Sequence, residues 1–377
     1  MDDHTIMPRA LATRIRSGKH VAVVDVRDRD EFETWRVDGP NVDAAQVPEN
    51  RFVQAEVTGG AADLVDGLAE PVVAVCGRGE ASDYAAELLR EDGVDAVNLA
   101  GGMDEWARVL LAEPVPTDGP ATVVQYQRPS SGCLGYLVHD GDRAAVVDPL
   151  RAFADRYVDD ASERGVEIDY AVDTHVHADH VSGVRAVAET ADAEPVLPEG
   201  AADRGLAFDA TLVGDGDELP LGDATLSALA APGHTSEMTA FRVDDAVLTG
   251  DSLFLDAVAR PDLEATADPE AAARTLYGTL HDRLLALPDD TVVAPGHYEL
   301  DARPRTGDAY AATVGDLRES LPALSMAEDE FVAHVTGNLP DPPANHERVI
   351  AVNLGREAAD DGTAFELELG PNNCAAG

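Results

Sequence analysis

A run of four metal-ligand side chains, His175, His177, Asp179 and His180, constrains this chain more than any other sequence feature. The run directly follows the apolar segment Tyr170–Asp173, which predicts a buried strand. Imidazole nitrogens and carboxylate oxygens are the ligands expected for zinc or non-haem iron. Without a metal, four such groups on one loop would repel one another when protonated and lose solvation when buried. The run therefore predicts a metal site at the end of a strand.

Three later glycine turns each carry one more ligand-type side chain. His234 lies in Pro-Gly-His-Thr, Asp251 in Thr-Gly-Asp and His297 in Pro-Gly-His, and each turn follows a predicted strand. Glycine lets the backbone bend sharply, so that the next side chain can point into a cleft. One such turn is a weak signal, but three in this order predict that all seven ligand-type residues belong to one site.

The order of these motifs, His-x-His-x-Asp-His, Gly-His-Thr, Thr-Gly-Asp and Gly-His, resembles the metallo-β-lactamase superfamily. The resemblance extends from about Thr122 to the C-terminus. It implies an α/β fold of the αββα sandwich type, with the metal site along one edge.

Two subfamilies fit this ligand set. A thioester hydrolase similar to glyoxalase II would use two Zn(II) ions and all seven ligand-type residues. By that resemblance His175, His177, His234 and Asp251 would hold the first ion. The second ion would bind the remaining three residues, Asp179, His180 and His297, with Asp251 bridging the two ions. A zinc-bound hydroxide would then attack the thioester carbonyl.

A persulfide dioxygenase would instead bind one Fe(II) through His175, His234 and Asp251, which leaves three coordination positions for a persulfide sulfur and O2. The other four residues, His177, Asp179, His180 and His297, would then be hydrogen-bonding neighbours of the ligands.

The flanking sequence favours the dioxygenase. Thr249–Leu263 resembles that subfamily, in which an Arg-x-Asp follows the ligand aspartate, and Arg260 and Asp262 match it. The resemblance implies that Arg260 and Tyr298 contact the thiol substrate, although Tyr298 here follows His297 directly where the family often has an intervening aspartate. The expected reaction is oxidation of a small thiol persulfide with O2 to sulfite and thiol.

A second chemical feature lies near the N-terminus. Cys76 ends the apolar strand Pro71–Cys76 and opens a loop ahead of a predicted helix. Loop N–H groups and the positive end of the helix dipole would stabilise a thiolate or a persulfide on this residue. The loop consists of Gly77, Arg78, Gly79, Glu80, Ala81 and Ser82.

With Val24–Arg27 and Ala100–Trp106, this loop resembles a single rhodanese domain. The resemblance implies a parallel sheet with flanking helices and a Cys76 that carries sulfane sulfur from a donor or to an acceptor. A docking module without catalytic function is the alternative.

The domain boundary is predicted from composition. Glu113–Pro120 contains three prolines, which disfavour helix and strand interiors. We therefore predict a rhodanese-like domain at 1–112, a linker at 113–121 and a metallo-β-lactamase-fold domain at 122–377.

Acidic residues number 72 against 27 basic ones, which gives a formal net charge of −45. This excess repels itself unless salt screens it, so we expect a halophilic protein that binds neither nucleic acid nor membranes. The three cysteines lack paired spacing, and no signal peptide or membrane-length apolar run is evident, so a cytoplasmic location is expected. Cys133 is predicted to be a small buried residue and Cys374 a mobile bystander. Both a monomer and an oligomer are compatible with the sequence.

Overall fold

The computed structural model describes residues 4–264, 268–337, 339, 341–370 and 372–376. Residues 1–3 and 377 of the predicted domain ranges lie outside this part of the chain. The fold divides into two compact units. The first contains the chain up to Leu111 with Arg128–Gly132 and Glu299–Arg303, and the second contains the remainder.

The first unit is a five-stranded parallel sheet in the order β1-β5-β4-β2-β3. Its strands are β1 (Thr5–Ile6), β2 (Val21–Asp25), β3 (Val42–Gln46), β4 (Val72–Val75) and β5 (Ala96–Leu99). Its helices are α1 (Pro8–Arg16), α2 (Arg29–Thr34), α3 (Glu49–Thr58), α4 (Glu80–Glu91) and α5 (Gly102–Trp106).

Both faces of this sheet are buried, which explains why its central strands are continuous apolar runs. Val24 packs with α3 and α4 on one face, through Phe52 and Leu89. Val23 packs with α1 and α5 on the other face, through Leu11 and Trp106. The predicted parallel sheet with flanking helices is confirmed.

The second unit contains two larger sheets. The seven-stranded sheet has the order β12-β11-β10-β9-β8-β7-β6, the six-stranded sheet has the order β13-β14-β15-β16-β18-β19, and β17 pairs with β20. The strands of the seven-stranded sheet are β6 (Leu111–Val115), β7 (Thr122–Arg128), β8 (Cys133–Asp140), β9 (Arg143–Val147), β10 (Glu167–Val172), β11 (Glu194–Pro198) and β12 (Thr211–Val213). The remaining strands are β13 (Glu218–Leu221), β14 (Ala224–Ala230), β15 (Thr239–Val243), β16 (Ala246–Gly250), β17 (Val258–Ala259), β18 (Val292–Pro295), β19 (Ala312–Thr313) and β20 (Ala375–Ala376).

Seven helices of the described chain belong to the second unit. They are α6 (Ala154–Arg164), α7 (Val184–Ala191), α8 (Pro269–Thr279), α9 (Val314–Ser320), α10 (Glu328–Gly337), α11 (His346–Asn353) and α12 (Asp361–Leu367). Helices α6 and α7 pack on β10, and α8 packs on α10. Two sheets with helices agree with the predicted metallo-β-lactamase fold.

Two local predictions differ from the structure. Glu113, Pro114 and Val115, which were expected to start the linker, continue β6. Proline is tolerated there because β6 is the edge strand of its sheet. The sequence also predicts one helix over Pro269–Ala286, but it ends as an α-helix at Thr279 and continues as a π-helical turn over Leu280–Leu284. No helix in the described ranges is both long and apolar enough to cross a bilayer.

Candidate functional site

The histidine-rich loop starts where β10 ends and is buried despite its polarity. Asn353 at the end of α11 holds its backbone. The Asn353 Nδ2 group donates to the carbonyl oxygens of His177 (3.0 Å) and His180 (2.9 Å), and its Oδ1 accepts from the N–H of Ser182 (2.8 Å). The N–H of Val176 donates to a buried glutamate. The loop therefore has a fixed backbone from which its side chains point inward.

Three of the predicted ligands form one group. The donor atoms of His175, His234 and Asp251 all lie within 4.8 Å of one another, and the three side chains are fully buried. Asp251 Oδ2 lies 3.9 Å from His175 Nε2 and 3.6 Å from His234 Nε2. Asp251 Oδ2 and His175 Nε2 have no hydrogen-bond partner in the described structure. Buried polar atoms without partners are costly, so their convergence fits a bound cation.

Hydrogen bonds at the opposite ring nitrogens fix which nitrogen of each histidine faces this group. His234 Nδ1 donates to the carbonyl oxygen of Arg260 (2.9 Å), which can only accept. His175 Nδ1 lies 2.9 Å from Thr174 Oγ1, and that hydroxyl donates to Asp148 (3.0 Å), so it accepts from the histidine. Both Nε2 atoms therefore carry a lone pair toward Asp251, as metal ligation requires.

The electrostatics of the group agree with these proton positions. Burial lowers the pKa of His175 well below its ordinary value, and burial also lowers the pKa of His234. Burial alone would raise the pKa of Asp251, but the charge and hydrogen bond of His297 hold it below its usual range. At neutral pH the group thus offers two neutral imidazoles and one carboxylate.

A second group contains Cys133, Asp179, His180 and His297, which are also buried with donor atoms within 4.8 Å of one another. Asp179 Oδ2 accepts from Cys133 Sγ (3.2 Å), His180 Nδ1 (3.0 Å) and His297 Nε2 (2.7 Å). The other ring nitrogen of His297 lies 2.6 Å from Asp251 Oδ1. Burial lowers the pKa of His297, but the two carboxylates outweigh it and raise that pKa well above its ordinary value.

His177 belongs to a third group. Its Nε2 lies 3.1 Å from Asp148 Oδ1 and 3.7 Å from Asp173 Oδ1, and its Nδ1 lies 4.0 Å from Asp179 Oδ1 without a hydrogen bond to any described residue. Burial raises the pKa of Asp173 to about 6. The seven predicted ligand-type residues therefore lie close together but divide into three sets of contacts.

The cysteine of the first unit lies in a separate site. Cys76 follows β4, and its Sγ accepts a hydrogen bond from the N–H of Gly79 (3.0 Å). The hydroxyl of Ser82 lies 3.2 Å from the same sulfur, but its one proton also lies within reach of Asn98 Oδ1 (2.7 Å). Gly79 has a φ of +103°, which favours glycine, and it caps α4. Arg78 is exposed and lies 3.7 Å from Asp104. A sulfur anion at Cys76 would thus face one backbone N–H donor, a nearby hydroxyl and a helix N-terminus.

Known proteins resemble both halves of the chain. Residues 130–297 match the metallo-beta-lactamase superfamily, and residues 7–109 match the rhodanese-like domain. The human mitochondrial persulfide dioxygenase ETHE1 is 30% identical over 62% of this chain and 87% of its own length. The chain belongs to the persulfide dioxygenase family of the metallo-beta-lactamase superfamily.

Two further similarities bear on this family assignment. The crystal structure of ETHE1 from Myxococcus xanthus has a TM-score of 0.53 and 27% identity, covering 65% of this chain and 99% of that one. The hydroxyacylglutathione hydrolase of Brucella ovis is 29% identical over 61% of this chain and 90% of its own length. The chain is thus similar to a hydroxyacylglutathione hydrolase as well as to persulfide dioxygenases.

Arg260, which the persulfide dioxygenase resemblance assigns to substrate, is fully buried and bound to protein. Its Nε and Nη2 donate to the carboxylate of Asp262 (2.7 and 3.0 Å), and its Nη1 donates to the carbonyl oxygens of Asp341 (3.1 Å) and Asn373 (2.8 Å). These contacts support a structural function that fixes the C-terminal segment. Tyr298 is also buried, and its ring stacks on another tyrosine ring at 3.6 Å.

The sequence analysis did not predict that two cysteines contact the candidate metal site. Cys133 is buried as predicted, but its backbone also bridges His297, so its thiol lies against Asp179. Cys374, expected to be a mobile bystander, is fully buried within 4.8 Å of the donor atoms of Asp251 and His297. It is held there because β20 pairs with β17 and the N–H of Arg260 donates to its carbonyl oxygen. No local sequence signal indicates either contact, because the partners are more than 45 residues away.

Proposed function

We propose that this chain oxidises a low-molecular-weight thiol persulfide with O2, at one Fe(II) held by His175, His234 and Asp251. The balanced reaction is RSSH + O2 + H2O → RSH + SO3²⁻ + 2 H⁺. The two persulfide sulfurs together lose four electrons, which O2 accepts, and the sulfur–sulfur bond breaks. A cytoplasmic location and a working environment of concentrated salt remain part of the proposal.

The observation that carries this proposal is the convergence of two neutral imidazole nitrogens and one carboxylate oxygen in a buried space. Two histidines and one carboxylate are the ligand set of non-haem Fe(II) oxygenases. Iron bound there would supply the open coordination positions and the redox chemistry that O2 and a persulfide require. His297 supports one metal rather than two, because both of its ring nitrogens already bond to carboxylates.

The surrounding residues keep these donors in place. Thr174 and the carbonyl oxygen of Arg260 fix the two imidazole tautomers. His297 donates to Asp251 Oδ1, which leaves Oδ2 directed at the two imidazoles. Such outer contacts typically change metal affinity about 10- to 100-fold when they are removed.

The test is metal analysis of anaerobically purified protein, followed by O2 uptake and sulfite formation with a persulfide. We expect about one iron per chain and one sulfite per O2 consumed. His234→Ala should lose iron and O2 uptake, whereas His334→Ala, an exposed histidine on α10, should keep both. Zinc with no O2 uptake after iron loading would reject the proposal.

A di-zinc thioester hydrolase is the second candidate, and one observation favours it. Asp179 Oδ1, His180 Nε2 and His177 Nδ1 are buried and make no hydrogen bond to any described residue, so they are available to an additional metal ion. Two zinc ions per chain with hydrolysis of an acylglutathione thioester, and no O2 uptake, would support this candidate.

We further propose that Cys76 carries sulfane sulfur. With thiosulfate as donor, a sulfur–sulfur bond forms at Cys76 while the one in thiosulfate breaks, which gives a Cys76 persulfide anion and sulfite. A small thiolate could then accept that sulfur and become the substrate of the metal site, or the flow could run in reverse. Cys76→Ser should abolish sulfur transfer from thiosulfate to cyanide. Unchanged transfer and unchanged coupled turnover would instead favour a docking function for this domain.

A further inference from the structure

A groove of about 320 Å³ lies beside the candidate iron ligand His234. The turn Pro232–Ser236 forms one wall, and α8 forms the other. A Cβ atom at Gly233 would lie 2.5 Å from the Cα of Leu276, so the helix packs directly against the turn that carries His234. This close approach fixes the distance between the two walls. Of the three proposed iron ligands, His234 lines this groove.

The charged side chains that line the groove are all negative among the described residues. In the part of the chain that the structure describes, its lining includes two carboxylates, Glu264 and Asp268, and no arginine or lysine. Glu264 accepts hydrogen bonds from the N–H (2.9 Å) and hydroxyl (3.1 Å) of Ser236, and Asp268 accepts from a backbone N–H at the start of α8. These donors are neutral and therefore do not offset the negative charges of the two carboxylates. Arg274, the arginine of α8, is paired instead with acidic residues of α10.

One buried polar atom in the groove lacks a partner. Thr235 lines the groove and is only 4% exposed, yet its Oγ1 makes no hydrogen bond in the described structure. A buried hydroxyl without a partner costs free energy unless a bound molecule or water satisfies it. The remaining lining is small, with Ala271, Ala272 and Thr275 on α8. The groove thus combines a hydrogen-bonding group, a small apolar wall and an acidic end.

We propose that this groove binds the carrier thiol of the persulfide, and that the carrier is a small thiol that is neutral or bears an ammonium group. The inference rests on the proposed function and specifies its substrate class. Thiols with two or more carboxylates or phosphates are disfavoured, because the described lining offers no cation to pair with them. An ammonium group would instead face Glu264 and Asp268, while Thr235 bonds a polar atom of the carrier.

The experiment compares the persulfides of cysteamine, 2-mercaptoethanol and glutathione on the iron-loaded full-length protein, at the lowest KCl concentration that keeps it folded. We expect kcat/KM to fall in that order, by about five-fold for each unit of charge. Glu264→Gln should reduce the cysteamine-to-glutathione ratio about five-fold, whereas Glu163→Gln, an exposed carboxylate on α6, should leave it unchanged. Thr235→Val should raise KM about five-fold with little change in kcat.

Equal shifts in the two glutamine variants would overturn the inference, because the preference would then come from the general charge of the protein. A preference for glutathione persulfide in the unaltered protein would also overturn it. Calorimetric titration with cysteamine and glutathione as free thiols tests the groove without turnover. Tighter binding of cysteamine, lost in Glu264→Gln, would support the groove even if no persulfide consumed O2, and that second result would reject only the proposed function.

Discussion

Replacing Arg260 by methionine tests whether this residue acts through the fold or through substrate. Methionine has a similar length, so the change removes the guanidinium group with little loss of packing. It removes the donor of the Asp262 carboxylate and of the Asn373 carbonyl oxygen, while the carbonyl oxygen of Asp341 keeps the side-chain amide of Asn373 at 3.3 Å. It does not remove the backbone carbonyl oxygen at position 260, which accepts from His234.

The expected cost follows from burial. Breaking a buried ion pair destabilises a protein by about 3–5 kcal/mol, because the remaining charge stays unpaired. The Arg260 side chain is fully buried, but Asp262 keeps 20% of its side chain exposed, and water can solvate that part. We therefore expect the lower end, about 3 kcal/mol. A domain of this size loses about 2–4 °C in Tm for each kcal/mol, so Tm should fall by about 6–12 °C.

Urea unfolding and thermal scans of the metal-free protein measure this effect. Arg274→Met is the matched control, since its ion pairs on α8 are half-exposed and should contribute about 1 kcal/mol or less. Arg260→Lys should fall between the two, because one donor remains while the planar fork is lost. Equal destabilisation by Arg260→Met and Arg274→Met would refute the structural reasoning. Normal stability with a raised KM would assign Arg260 to the substrate.

Other contacts of the site lead to further predictions. Asn353→Ala leaves two buried carbonyl oxygens of the histidine loop without donors, and calorimetry should show a loss of about 2–3 kcal/mol. Thr174→Val removes the acceptor for His175 Nδ1, so competitive chelation should show about 10- to 100-fold weaker iron binding, with the serine variant close to normal. The pKa of Asp173 is about 6 in the fold and 3.8 as its ordinary value, so its protonated form is favoured by folding and its contribution should fall as pH rises from about 4 through 6. Asp173→Asn should remove that pH dependence from urea midpoints of the metal-free protein. Since the net charge is −45, rising KCl should raise the urea midpoint, and a flat response would contradict the repulsion argument.

The sequence was sufficient for the parts of the fold that depend on local pattern. The strand predicted at Pro71–Cys76 contains β4 (Val72–Val75), and the strand predicted at Tyr170–Asp173 overlaps the end of β10 (Glu167–Val172). The histidine loop follows its strand as expected, because apolar residues stop where the polar loop begins. The residues at which strands and helices begin and end were harder to predict. Pro114 indicated a linker, but a proline in an edge strand costs no sheet hydrogen bond on its solvent side.

Residues that act through tertiary contacts could not be predicted. Asn353 lies more than 170 residues after the loop that it holds, and no motif marks it. Arg260 was expected to face substrate or solvent, but the pairing of β17 with β20 encloses it. Cys374 looked unimportant because it lies near the end of the sequence, whereas that same strand pairing brings its thiol beside Asp251. Motifs identify donor types, but the three-dimensional partners of those donors depend on how distant segments pack.

Those partners decide what each histidine can do. An imidazole can bind a metal only through a nitrogen that keeps its lone pair, so the acceptor at the opposite nitrogen selects the ligand atom. His175 and His234 each have one such acceptor and keep one lone pair. His297 has a carboxylate at both nitrogens and is therefore best described as a double donor that orients Asp251. His177 and His180 each keep one nitrogen without a hydrogen bond, so among the histidines only His297 argues for a single metal. This argument adds to the flanking sequence and to the similarity to persulfide dioxygenases.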